Sequence, residues 1–358
     1  MMINDSVHKQ QGGDSSTNLQ GQSIIINQGI SYSDARDIAL DVYKSNFLQL
    51  SHDAAELARS RAEQLTDSFL EKLKEENETA ISEMKQPAMQ AALYEAQKQY
   101  AKSGDEDLEF MLVDMLVQRA STPERNTKQI VLDEALEVVG KITSEQLNIL
   151  SLNFALTRLF RGNVNNLEQL VNHINNELLI FVEANTEYHQ SWFEHLAYTG
   201  CVTLMDGSSY KNLPTLMLNQ YPALFQNGFD EAEFEQFVGK PMSAFNPLLM
   251  RCFHTVNLVQ FNEMNAELLE KTATKTGFDT ADIQKLKQYF SSKLMNQNEV
   301  KNYLVEKIPQ IEILLNNWGG DDNQLSKLQL TTVGIALAQA NYKQKVNSIN
   351  FDLGIWVK

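Results

Sequence analysis

The sequence predicts a mainly α-helical fold: a multi-helix body with a short N-terminal β arm and a small C-terminal wing-like β element. Three observations carry that expectation. Apolar residues recur at three- and four-residue spacing over most of the chain, glycines, prolines and capping residues divide it into helix-length pieces, and β-prone runs are few and short. With 358 residues, 43% of them hydrophobic, there is material for one large core or for two or three domains.

The stretch from Gln10 to Arg36 departs most clearly from helix. Ser16 to Gln20 and Ser23 to Asn27 are β-prone runs split by Gly21, with Gly12, Gly13 and Gly29 at their ends. Two strands this short are not stable alone, so residues 1–30 are expected to dock on the body or to pair with other copies through Leu19, Ile24, Ile25 and Ile26. Ser31 or Ser33 then caps a helix, and Asp34 suits the positive end of its dipole.

From Ser33 to Lys85, Ile38, Val42, Leu50, Leu57, Leu65, Phe69 and Leu73 mark one helix or two joined near Ser51. Between Asp53 and Lys85 nine acidic and five basic residues read as a solvated face. Pro87 breaks the run before a helix from Ala88 to Ser103, and Leu108 to Ala120 is apolar enough to be buried. Helices follow over Gln129 to Val139 and Ser144 to Phe160; Gly140 ends the first and Thr143 caps the second with Gln146. Leu147, Leu150, Phe154 and Leu159 are core candidates.

The Asn-rich segment after Arg161 keeps helical spacing through Leu167, Leu170, Val171, Ile174, Leu178 and Leu179. A helix ending at Gly200 leads to a short strand, and the prolines and glycines from Pro214 to Pro247 mark an irregular subregion. A long helix is expected from Met250 to Thr276, others over Thr280 to Met295 and Glu299 to Trp318, and a last strand from Asn350 to Val357. The expected division is an oligomerisation arm at 1–30, an N-terminal helical domain at 31–160, and a C-terminal helical domain at 161–358 that ends in a strand, turn, helix and strand.

A net charge of −16 argues against a general phosphate-binding surface. The last segment from Asn323 is mildly basic, with four lysines against one aspartate. Cys201 and Cys252 lack zinc or CxxC spacing and read as buried thiols of a reducing cytosol. The first residues have neither a basic start nor an apolar run, and no apolar run approaches the ~20 residues of a membrane helix; a cytoplasmic protein is expected.

Motifs for chemistry are sparse. KLQLTTVGIALA has the order strand, LTxxG, helix, and resembles the wing of winged-helix modules. His189 and His195 are six apart, so they are not the i, i+4 pair of an HExxH site, although Glu187 and Glu194 lie nearby. His52-Asp53 precedes an alanine-rich helix, and Arg251 and His254 lack the spacing of helical ribonucleases. Tyr188, Trp192, Phe193 and Tyr198 form an aromatic group, read as core or as a recognition surface. There is no phosphate loop, dinucleotide fingerprint or nucleophile elbow.

The blocks GGDSSTNLQGQSIIINQGISYSDARDIALDVYKSNF, KITSEQLNILSLNFALTRLF, HLAYTGCVTL and LQLTTVGIALAQANYK, with GIW near the end, resemble a family of uncharacterised bacterial helical proteins whose distribution is typical of mobile or defence genes. The ending is also similar to the abortive-infection alpha group, and the opening to N-terminal segments of bacterial conflict proteins. That resemblance supplies no catalytic residue. The expectation is a non-enzymatic homo-oligomer acting through protein contacts in antiphage defence, without cofactor, metal, membrane or nucleic-acid partner. One alternative is a nucleic-acid-binding regulator using the wing, Lys343 and Lys345; another is a metal-dependent hydrolase or nuclease around His189, Glu194 and His195.

Overall fold

The body starts at a reciprocal cap: the Ser31 N–H donates to Asp34 Oδ2 at 3.0 Å and the Asp34 N–H donates to Ser31 Oγ at 3.1 Å. The computed structural model describes residues 30–46, 52–182, 188–205, 209–318, 325–346 and 351–358. Leu19, Ile24, Ile25 and Ile26 lie outside the described residues, as does the rest of the arm to Gly29. The described residues are mainly α-helical, with two small two-stranded sheets among them.

The predicted run from Ser33 to Lys85 is two helices, α1 (Tyr32–Asn46) and α2 (His52–Asn77), followed by a 3-10 segment over Glu78–Lys85. On α2, Ala58, Ala62, Leu65, Phe69 and Leu73 fall on one buried stripe. Pro87 opens α3 (Pro87–Ser103), and Gly104, at φ 64°, closes it. Asp105 caps α4 (Glu106–Ala120) and Asn126 caps α5 (Thr127–Val138). Thr143 and Gln146 form the expected capping box of α6 (Ser144–Thr157). Then come α7 (Leu167–His173), α8 (Gln190–Tyr198), strand β1 (Val202–Leu204), α9 (Leu213–Gln220) and α10 (Glu231–Val238).

The helix expected from Met250 to Thr276 is in fact a hairpin followed by a shorter helix. Strands β2 (Leu249–Arg251) and β3 (Val259–Phe261) pair antiparallel, with Met250 opposite Gln260, before α11 (Ala266–Thr276). Asn257 in the connection takes φ 69°, which a continuing helix cannot accommodate. The buried Gln260 amide donates to Ala223 O at 3.0 Å and accepts the Phe253 N–H at 2.8 Å, so the turn is held from within. The remaining elements are α12 (Thr280–Ser292), α13 (Gln297–Lys307), α14 (Ile311–Asn317), β4 (Leu328–Leu330) and α15 (Thr332–Lys345). The expected final strand is a 3-10 turn, Leu353–Ile355, because the Asp352 carboxylate accepts the Gly354 N–H and bends the chain.

Helix α15 organises the main core. Its residues from Val333 to Lys343 are all buried, and it packs on α4, α5 and α6. Thr331 ties its start to the α8–β1 corner: the hydroxyl donates to Gly200 O at 2.6 Å and accepts from Gly334 N at 3.1 Å. The LTxxG glycine is required by this closeness, since a Cβ on Gly334 would lie 1.9 Å from Cys201 O. The preceding strand β4 pairs antiparallel with β1, Val202 opposite Leu330, so the wing-like element lies against the body.

This core draws on residues from both sides of residue 160. A second, aromatic-rich core forms between Phe229 and Phe290, where Phe229, Phe234, Phe245, Phe261 and Tyr289 meet between α10, the hairpin, α11 and α12. Among the described residues no helix is long and apolar enough to cross a membrane.

Candidate functional site

The most developed polar constellation lies where the Asn-rich segment meets α15. Asn166 caps α7 by accepting the Gln169 N–H at 2.8 Å. Instead of continuing as α-helix, the chain then makes one π turn over Ile174–Leu178, a widening that recurs at functional sites. Glu177 on that turn is the hub. Its Oε1 accepts from Arg161 Nη2 at 2.7 Å, and its Oε2 accepts from His173 Nδ1 at 2.9 Å and from the Tyr342 hydroxyl at 2.9 Å. The Arg161, His173 and Glu177 side chains are 17%, 6% and 12% exposed.

Burial alone pushes the Glu177 carboxyl up, but the hydrogen bonds from His173 and Tyr342 and the charge of Arg161 outweigh it and hold the group below its ordinary range. Burial, reinforced by Glu177, pushes the Tyr342 phenol well up, so it stays a donor. His173 Nδ1 lies 2.9 Å from Glu177 Oε2, which leaves Nε2 as the ring's other polar atom, without a partner among the described residues. The Tyr221 ring stands edge-on to His173 at 6.0 Å, its hydroxyl beside the Arg161 backbone but short of a well-formed hydrogen bond. Burial pushes the Tyr221 phenol up to about 12.

Beside this hub is a cleft of about 550 Å³, within the usual range for small-molecule sites. Arg161, Asn163, Asn172, His173, Asn176 and Lys345 are among the residues that line it. The arrangement offers cationic and amide donors with one imidazole, the chemistry of polar-ligand binding.

The residues singled out in the sequence are elsewhere. His189 and Glu194 are exposed, while His195 turns to the Gln146 amide, its Nδ1 3.1 Å from Gln146 Nε2. Among the described residues no three His, Cys, Asp or Glu side chains are grouped to hold a metal. Phe193 is buried, Tyr188 and Trp192 pack on the main core, and Tyr198 is 89% exposed. Cys201 and Cys252 are free; burial pushes the Cys201 thiol up. His254 Nε2 lies 2.6 Å from Leu224 O, and burial lowers its pKa. Lys343 is buried with its ammonium 3.4 Å from both Asp114 carboxylate oxygens, which also face Lys72 and Gln118, so of the two C-terminal lysines only Lys345 reaches a cleft.

Sequence reading did not find the hub. Its one local signal is His173 and Glu177 at i, i+4; Arg161 and Tyr342 arrive from 16 and 165 residues away.

A family model described only by the suffix "-like", with no activity in its description, matches residues 29–357. Nothing among curated proteins or solved structures matches the chain.

Proposed function

The chain belongs to the family whose model it matches, and on that premise we propose that it works by contact rather than by turnover. In this reading a helical body self-associates through residues 1–30 and engages protein partners, and its setting is antiphage defence of the abortive-infection type. The supporting observation is the seam at the start of the body. The Ser31–Asp34 cap starts α1 directly after the segment that carries the apolar residues Leu19, Ile24, Ile25 and Ile26 in the sequence. Strands as short as the β-prone runs carrying Leu19, Ile24, Ile25 and Ile26 are not stable alone, and in this reading some of these residues are buried against the same run of a second copy.

The test is the mass in solution of the full chain against a chain lacking residues 1–30, by light scattering. The full chain is expected to be the larger assembly, and Ile24→Lys with Ile26→Lys to reduce it to the mass of the shortened chain. Equal mass for the full and shortened chains refutes self-association through the arm. The biological setting is checked separately by plaque counts on cells expressing the protein; unchanged plaque counts across a panel of phages would remove it.

A further inference from the structure

We propose that the cleft between α7 and the end of α15 binds a phosphate ester carrying free hydroxyl groups, such as a nucleotide or a sugar phosphate. This does not depend on the assembly reading.

Charge selects the phosphate. In a chain of net charge −16, the cleft brings together Arg161 and Lys345. Lys345 has no ion-pair or hydrogen-bond partner among the described residues. Arg161 directs only Nη2 at Glu177, which leaves Nη1 without a partner among the described residues. The carboxylate that would repel an anion is already engaged by Arg161, His173 and Tyr342. Arginine beside lysine in a half-enclosed site suits phosphate oxygens, since charge-assisted hydrogen bonds to them are the strong ones.

The neutral groups select the hydroxyls. Glu177 holds His173 Nδ1 at 2.9 Å, so Nε2 is the ring atom left for a hydroxyl, which can both donate and accept. Asn163, Asn172 and Asn176 add amides that both donate and accept. A bare phosphate would leave these groups and most of the 550 Å³ to water.

Calorimetric titration of the full chain tests this with AMP, ribose 5-phosphate, inorganic phosphate, adenosine and ribose. AMP or ribose 5-phosphate is expected to bind saturably, and the tighter of the two identifies the source; adenosine and ribose are expected not to bind. Arg161→Ala risks unfolding the hub, so the variants are Lys345→Glu and Asn176→Asp, each at an accessible position and each adding negative charge to the cleft. Both should keep the ligand-free melting temperature and weaken binding by at least roughly tenfold, the scale of one lost charge-assisted contact. No binding by either ester overturns the proposal, as does ester binding unaffected by Lys345→Glu. Inorganic phosphate binding as tightly as the esters overturns the hydroxyl assignment to His173.

Discussion

Replacing Gly334 with alanine adds one methyl group, and inside a helix that change ordinarily stabilises by up to about 1 kcal/mol. Here the new carbon would sit 1.9 Å from Cys201 O and 2.9 Å from Cys201 C, both backbone atoms with no rotamer to yield. An ordinary contact begins near 3.4 Å, so the start of α15 must retreat by about 1.5 Å. That retreat breaks the Thr331 N–H bond to Cys201 O at 3.1 Å and the two Thr331 hydroxyl bonds, 2.6 Å to Gly200 O and 3.1 Å to Cys201 O. At about 1 kcal/mol each, less the propensity gain, the net loss is about 2–3 kcal/mol before any loosening around Val333 and Leu337. This is a sizeable part of the roughly 5–15 kcal/mol that holds a domain. Urea unfolding followed by circular dichroism measures it, and Gly334→Ala as stable as the parent, or more so, refutes the close-approach argument.

Two more perturbations address the polar interior. Asp114→Ala strands the buried Lys343 ammonium and should cost about 3–5 kcal/mol in urea unfolding; adding Lys343→Met should recover part of it, and no recovery would mean that the pair is not the cause. Glu177 has a folded pKa below its ordinary 4.5, so its contribution is present above 4.5 and lost as pH falls through the folded value. Glu177→Gln should flatten the acid limb of a urea-midpoint profile, and an unchanged limb would count against the ionised hub.

What the sequence reveals depends on how local the cause is. The caps at Ser31, Thr143 and Thr331 are legible because donor and acceptor lie three residues apart. The stretch from Met250 to Thr276 misleads because its apolar spacing fits a helix, while the evidence against one is a long-range contact, Gln260 reaching Ala223. The hub is hidden for the same reason. Glu177 in an Asn-rich helix looks like surface charge until Tyr342 arrives from α15. Lys343 likewise reads as a free cation in a basic tail, and only packing against α4 shows it to be paired with Asp114.

The central place of α15 also sets a timetable for synthesis. Helices α4, α5 and α6 leave the ribosome early, yet the helix they enclose ends roughly 190 residues after α6. At about 5–20 residues per second, the groove for α15 stands open for tens of seconds. During that interval α4, α5 and α6 lack the helix that packs on them in the finished fold, and apolar surface left open in this way is prone to aggregate.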